Sequence, residues 1–190
     1  QTAQAYYRVA LLQAGLGETE DAEASYRAAI ERFEQMTRKG PANPDQFRRL
    51  AEAYEGLAHV VPGWPEAKKT FESARLAGSR AIELTPNDVS LYLHRGDIRN
   101  TLSDLQCVDD YEKAIQLEPN NLEAHLKCSS YYLQTRDQKK SLEHAQRAVA
   151  LAPDDPRCHL QLASVLGHGG SLGGLWHPSG RPVTLVVPDP

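Results

Sequence analysis

Three similar segments that each end in proline recur along this chain at a nearly constant spacing. Their prolines, Pro86, Pro119 and Pro153, lie 33 and 34 residues apart. Each proline follows the pattern basic-Ala-(Ile or Val)-x-Leu-x, and an Asn or Asp pair comes next. Self-similarity at a period of roughly 20 to 50 residues indicates a repeat architecture rather than a single globular core.

The repeats carry the apolar periodicity of helices. Ala22, Tyr26, Ala29 and Ile30, for example, fall on one helical face with charged residues between them. Before residue 180 the sequence contains no run that alternates with the period of a β-strand. Because one helical hairpin cannot bury its apolar face alone, such units must stack on their neighbours. The sequence therefore predicts an all-α fold of at least three stacked helical hairpins.

Between about residues 3 and 167 the chain resembles the tetratricopeptide repeat (TPR) family. In that family each repeat has two antiparallel helices, A and B, with small residues where they cross and a closing proline. The positions that match in the third and fourth repeats are Tyr92, Gly96, Cys107, Tyr111, Ala114, Pro119, His125, Ser129, Tyr132, Ser141, Ala145, Ala148 and Pro153. Cys107 and Ser141 stand where alanine is usual, and Arg99 where an aromatic residue is expected. The resemblance implies a right-handed α-solenoid, the TPR superhelix.

The first two repeats match with longer connections. Their B helices are predicted to run to about Met36 and about Leu84, with breaks at the Gly- and Pro-containing segments 39–44 and 62–65. The domain prediction is an array over 1–167 of about four hairpins plus one further A helix, followed by a Gly/Pro-rich tail. That tail, 168–190, is predicted to be disordered or to form a short strand. The extended units resemble the repeat tails of large bacterial serine/threonine kinases and regulators.

Local signals predict two further features of the helices. Asp45, Asn121 and Asp155 are predicted to cap helix N-termini, since their side chains can accept the free amide hydrogens of a first turn. The third repeat is one residue short, and we place the missing residue in the turn near residues 102–104.

Composition excludes several classes of function. With 21 basic and 25 acidic residues, the net charge of −4 lacks the clustered basic excess of a nucleic-acid-binding protein. No run approaches 18 apolar residues, so no membrane association is predicted. Three cysteines, an odd number, indicate a reducing compartment, and a cytoplasmic location is expected. The N-terminal Gln1 with no signal pattern suggests that the chain was cut from a longer protein.

No motif for catalysis, metal binding or cofactor binding is found in the sequence, so the chain is predicted not to be an enzyme and to need neither metal nor cofactor. His125 is interpreted as a packing residue between helices, and Cys107 and Cys128 as small core residues. Carboxylate pairs such as Asp109-Asp110 are expected to lie on outer, solvated helix faces.

The resemblance implies that the A helices line a concave wall, with ligand contacts at their second, fifth, sixth, ninth and twelfth positions. Carried over to this sequence, the candidate partner-binding residues are Tyr7, Leu11, Arg48, Arg49, Glu52, Leu93, His94, Asp97, Asn100, Leu126, Lys127, Ser130, Gln134, Arg157, Leu160 and Gln161. The basic and amide residues with which some relatives clamp a C-terminal carboxylate are not present at these positions. The predicted function is a protein-protein interaction scaffold that holds a peptide or partner protein in this groove.

Four alternatives remain open at this point. The inner face could be the solvated surface of a spacer. A peptide carrying both acidic and basic residues could pair with Arg48, Asp97 and Lys127. The array could be the regulatory or docking tail of a larger signalling enzyme such as a serine/threonine kinase. It could also be a homotypic assembly module that self-associates through its uncapped C-terminal end.

Overall fold

The computed structural model describes residues 2–168, and this part of the chain contains nine α-helices and no strand. The helices are α1 (Ala3–Leu16), α2 (Thr19–Lys39), α3 (Pro44–Val60), α4 (Trp64–Leu84), α5 (Val89–Thr101), α6 (Cys107–Leu117), α7 (Leu122–Gln134), α8 (Gln138–Leu151) and α9 (Pro156–His168). The tail predicted for residues 168–190 lies outside the described residues from position 169 onward.

The helices pair in sequence order, as predicted. α1 packs on α2, α3 on α4, α5 on α6 and α7 on α8, and α9 packs on α8 as a further A helix. Residues 2–168 thus contain four helical pairs followed by one further helix, and the predicted domain boundaries stay a prediction. The two extended B helices end at Lys39 and Leu84, within three residues of the predicted positions.

Contacts divide the chain into two compact units at Pro119/Asn120. Unit 1 comprises α1–α6, and unit 2 comprises α7–α9 as far as the structure is described. In unit 1 the core is built from alanines and a few large residues, among them Tyr26, Phe33, Leu50 and Phe71. Small side chains predominate because two helices that cross closely leave little room between their backbones.

Short polar side chains cap several helices, and one predicted cap is wrong. Asn121 accepts the amide hydrogen of Ala124, and Asp155 accepts that of Arg157, as expected. At α3 the cap is Asn43 rather than Asp45: the Asn43 side chain accepts from the Asp45 amide at 2.9 Å. Pro44 occupies the first turn, where its missing N–H costs nothing, so the helix starts earlier than predicted.

All four A–B turns contain a residue with a positive φ: Gly17 (φ 79°), Gly63 (φ 85°), Ser103 (φ 58°) and Arg136 (φ 64°). Ser141, which is fully buried, comes five positions after Arg136, but its counterpart Cys107 comes only four positions after Ser103. The shortening therefore falls at residues 104–106, just after the predicted place. α6 also begins at Cys107 itself, whereas α8 begins three residues before Ser141, so α6 has 11 residues and α8 has 14.

The A and B helices cross at small residues, as the resemblance implied. In the third hairpin a Cβ atom at Gly96 would clash with the buried ring of Tyr111. In the fourth, Ser129 donates its hydroxyl hydrogen to the Ser141 carbonyl (2.9 Å), and Ser141 donates to the Ser129 carbonyl (2.8 Å). This reciprocal pair satisfies two buried hydroxyls and holds α7 against α8.

Candidate functional site

In unit 1 the structure brings together a group of predicted site residues from α1, α3 and α5. We call this surface the unit 1 face and define it by the predicted residues Tyr7, Leu11, Arg49, Glu52, Leu93, His94 and Asp97, together with Glu55, which was not predicted. Arg49 pairs with Glu52 at 2.8 Å within α3. Leu11 lies one turn after Tyr7 on α1, and Asp97 one turn after Leu93 on α5, so each pair shares a helical face. Asn100, one turn further along α5, is exposed.

A hydrogen bond of 2.6 Å between His94 Nε2 and Glu55 Oε2 connects α5 to α3. Burial alone would lower the pKa of His94, but the hydrogen bond and the negative charges of Glu55, Glu52 and Asp97 outweigh it and raise that pKa. Burial alone would raise the pKa of Glu55, yet the His94 bond lowers it. Both shifts favour the charged pair, which places a half-buried ion pair between two A helices.

Tyr7 lies close to the same carboxylates. Burial, together with the negative charges of Glu52 and Glu55 and against the charge of Arg49, raises the pKa of Tyr7 to about 12. The phenol therefore keeps its proton and remains able to donate a hydrogen bond. Its ring lies 6.2 Å from that of Tyr26, which helps to fix its position.

Arg48, a candidate residue of the same helix, has a structural contact. Its guanidinium lies 2.6 Å from the carboxylate of Asp88, the N-cap of α5, and 3.8 Å from Asp45. The Arg48–Asp88 ion pair thus joins α3 to the start of α5. This partner is 40 residues away in sequence, so no local pattern identified it.

In unit 2 the candidate residues form two groups. Lys127 and Arg157 both contact Glu123, at 3.2 and 3.3 Å, and Arg157 also contacts Asp155 at 2.8 Å. Gln161 of α9 accepts a hydrogen bond from Ser130 and donates one to Ser129 of α7. Leu126 is half-buried, whereas Gln134 and Leu160 are exposed.

Two residues central to these clusters were missed by sequence reasoning. Glu55 holds His94, and Glu123 bridges Lys127 and Arg157. Both occupy A-helix positions, the twelfth and the second, that the resemblance marks as ligand contacts. Applying all five of these positions to α3 and α7 would have identified both residues from the sequence.

The structure corrects the expectation for Asp110. Asp109 is exposed as predicted, but Asp110 is only 2% exposed and lies between two arginines. Arg95 binds both carboxylate oxygens, at 3.0 and 2.5 Å, and Arg99 binds one at 2.9 Å. Arg95 also donates to Ser79 of α4. The expectation failed because adjacent helical residues point about 100° apart, so only one of the two could be outward.

The histidine and cysteine interpretations agree with the structure. His125 is buried, with Nδ1 3.0 Å from Nδ1 of His144, and His144 stacks on Tyr132. Cys107 and Cys128 are buried free thiols, as is Cys158, and burial raises the pKa of Cys107 to about 11. Over residues 2–168, no group of three or more potential metal ligands comes together.

A cavity of about 760 Å³ lies away from the unit 1 face, where α1 begins and α2 ends. Phe33 and Met36 form part of its apolar lining, and Arg32 and Lys39 contribute positive charge. Gln46, also in the lining, has a buried side-chain oxygen that accepts no hydrogen bond. In the described part of the chain, no helix is long and apolar enough to cross a bilayer.

One family and one known protein match this sequence. Residues 3–35, which span the first hairpin, match the family described as Tetratricopeptide repeat. Over 136 residues the chain is 27% identical to the protein CTR9 homolog of Arabidopsis thaliana, a match that covers 69% of this chain and 12% of that protein. The chain thus spans only a small part of that relative.

Solved structures share the fold. A thermophilic TPR protein of Thermus thermophilus superposes with a TM-score of 0.62 at 19% identity, covering 87% of this chain and 99% of that one. MamA from Desulfovibrio magneticus gives 0.61 at 15% identity, covering 87% and 90%. The APC/C Cut9–Hcn1 hetero-tetramer gives 0.59 at 14% identity, covering 87% and 30%. Paired helices of this length, crossing at small residues and closed by proline at a 33–34-residue period, give this chain the all-α superhelical fold of tetratricopeptide repeat proteins, and its first hairpin matches that family in sequence.

Proposed function

We propose that this chain holds a partner protein by binding a basic segment of it along the unit 1 face. A tetratricopeptide repeat fold supports a general role as a protein-protein interaction scaffold. The observation that carries the finer proposal is the charge of this surface. Three carboxylates, those of Glu52, Glu55 and Asp97, raise the pKa of His94 together.

The carboxylates of Glu52 and Glu55 retain capacity for a ligand. A carboxylate can accept about four hydrogen bonds, and the described contacts of Glu52 and Glu55 are one cation each, Arg49 and His94. Both side chains are half-buried, so a bound Lys or Arg would meet them where water screens the charge less than at a fully exposed surface.

Apolar side chains flank the charges. Leu11 is exposed and Leu93 is half-buried. A peptide with alternating basic and apolar residues would place the first against the carboxylates and the second against these leucines. We favour a basic segment over one of mixed charge, because Arg48 and Lys127 already contact Asp88 and Glu123.

The test is fluorescence polarisation with two labelled peptides of identical apolar residues, one carrying lysines and the other glutamates. We expect the lysine peptide to bind more tightly and its affinity to fall between about 50 and about 300 mM salt. Glu52→Gln should weaken it roughly twofold to fivefold, as expected for the loss of one ion pair near the protein surface. Leu11→Ser should weaken it at both salt concentrations.

Glu72→Gln is the matched control, because Glu72 is an exposed carboxylate on the B helix α4. It removes the same charge from unit 1 without touching the unit 1 face. Equal affinity for the two peptides, or equal loss from Glu52→Gln and Glu72→Gln, would show that the proposal is wrong.

A further inference from the structure

The first helix carries an exposed apolar stripe that no described residue covers. Ala5, Val9, Leu12 and Leu16 follow one another at intervals of four, three and four residues, so they lie along one side of α1. Val9 is 45% exposed, Leu12 70% and Leu16 75%. We call these four residues the α1 stripe. Such a row of large apolar residues in water marks an interaction surface.

The residues at equivalent positions of α3 and α5 are buried. To identify equivalent positions, we align the A helices on the buried residue at which each crosses its B helix. This residue is Ala10 in α1, Ala51 in α3 and Gly96 in α5. In α3 the counterparts of Val9, Leu12 and Leu16 are Leu50, Ala53 and Leu57, all buried. In α5 the counterparts of Ala5 and Leu12 are Leu91 and Ile98, also buried.

Unlike α1, both α3 and α5 pack against a preceding hairpin as well as against their own B helix. α3 packs against α2 and α5 packs against α4, and in both cases the covering helix is a B helix of 21 residues. The α1 stripe thus occupies the positions that are buried in the A helices that follow a B helix. We propose that the α1 stripe binds the B helix of another tetratricopeptide hairpin, one that is not among the four that residues 2–168 form.

The chemistry of that occupant follows from α4. Towards α5, α4 offers small residues: a Cβ atom at Gly78 would be in van der Waals contact with the Arg95 Cβ, at 3.9 Å. Ala77 and Ala81 are buried beside it. The occupant is therefore an amphipathic helix with a row of Ala and Gly residues. These small residues leave a groove in which Leu12 and Leu16 can pack.

A second copy of this chain does not provide that helix from α2, α4 or α8. Each of these B helices already packs against the A helix that follows it: α3, α5 and α9 respectively. The same argument does not cover α6 of a second copy. Self-association through the α1 stripe is therefore an outcome that the experiment must distinguish from the proposal.

The experiment extends the full chain by a copy of residues 44–87 joined directly to Thr2. Thr2 caps α1 as Asp88 caps α5, so the copied α4 would meet α1 in the register in which it meets α5. Leu50→Gln and Leu57→Gln are made in the copy only. They prevent the copied α3, which becomes the first helix of the extended chain, from exposing a new apolar stripe. Hydrogen exchange of the α1 amides is compared with that of the unextended chain.

We expect the α1 amides to exchange at least about tenfold more slowly in the extended chain, since packing reduces local opening. Leu12→Glu should abolish that protection while changing exchange little in the unextended chain, where Leu12 faces solvent. Leu105→Glu is the control, because Leu105 is also 70% exposed but lies in the turn before α6. It should leave the protection intact.

Two results would overturn the proposal. The first is an extension that gives no slowing, or a slowing that survives Leu12→Glu. The second is a concentration-dependent dimer of the unextended chain, seen by analytical ultracentrifugation, that Leu12→Glu dissociates. That second result would assign the α1 stripe to a copy of this chain instead of to a further hairpin.

Discussion

At the scale of single residues, the third repeat replaces apolar packing with a buried ionic cluster. Arg99 stands where the fourth repeat has Tyr132, and Arg99 and Arg95 converge on Asp110 of the facing helix. The sequence showed the departure at Arg99 but not its counterpart, because the pairing depends on how α5 and α6 cross. Arg99, where an aromatic residue was expected, and Asp110, which was expected to be solvated, therefore belong to one ionic cluster.

Asp110→Ala should destabilise the protein severely. Removing the carboxylate leaves two largely buried guanidinium groups facing each other, and breaking a buried pair in this way costs about 3–5 kcal/mol. Urea unfolding followed by circular dichroism measures the change. Asp109→Ala is the neighbouring control and should cost less than about 1 kcal/mol, since Asp109 contributes only charge near the start of α6. Similar losses for both variants would argue against the cluster.

The His94–Glu55 pair should make stability depend on pH. The folded-state pKa of His94 is raised, so its contribution is complete below about pH 6.5 and is lost as the pH rises through the folded value. The folded-state pKa of Glu55 is lowered, so its contribution is present above its ordinary value of 4.5 and is lost as the pH falls through the folded value. The pair is expected to stabilise most between these limits.

His94→Gln tests this window. The difference in unfolding free energy between wild type and variant should be larger near about pH 6 than near about pH 9, because the contribution of His94 is lost as the pH rises through its raised folded-state pKa. His159→Gln serves as control, because His159 is exposed and bonds only a backbone carbonyl in the described contacts. A difference for His94→Gln that stays constant across this range would contradict the assignment.

At the scale of elements, the hairpins depend on close crossings that only small residues permit. Gly96 and Ser129 occupy the same A-helix position, and each faces a B helix within its own hairpin. The family pattern predicted both crossings. It did not predict that the serine pair would bond across them, since that requires the two backbones to approach within hydrogen-bond distance.

Gly96→Ala and Gly15→Ala should change stability in opposite directions. A methyl group at Gly96 forces the buried Tyr111 ring to move, an overpacking that costs about 1–3 kcal/mol. At Gly15 nothing lies within 4 Å of the added carbon, so alanine should stabilise α1 by up to about 1 kcal/mol. Guanidinium unfolding curves of the two variants check this. A destabilised Gly15→Ala, or a neutral Gly96→Ala, would be inconsistent with the crossings described.

At the scale of the whole molecule, the two units differ in how many hairpins they contain. Unit 1 has three, and unit 2 has one hairpin and α9 within the described residues. Repeat proteins need about three repeats before stacking offsets the entropy lost on folding. The predicted single array over 1–167 did not anticipate this grouping of contacts, and it stays a prediction.

A fragment of residues 1–119 should therefore fold alone, and a fragment of residues 120–168 should not. We expect the first to keep helical circular dichroism and a cooperative thermal transition, and the second to melt gradually. Thermal melts of the two fragments, at equal concentration, test the statement. A cooperative transition in 120–168 would show that fewer repeats suffice here.

The helices, their pairing and the family could be predicted from sequence alone, because the apolar period, the proline spacing and the small crossing residues are local features. The partners of the charged residues were decided only by the tertiary structure. Arg48 pairs with Asp88, Glu55 with His94, and Asp110 with two arginines. These partners lie 11 to 40 positions apart in the sequence. Contacts of this kind depend on how successive helices are rotated against one another, and a helical period does not encode that rotation.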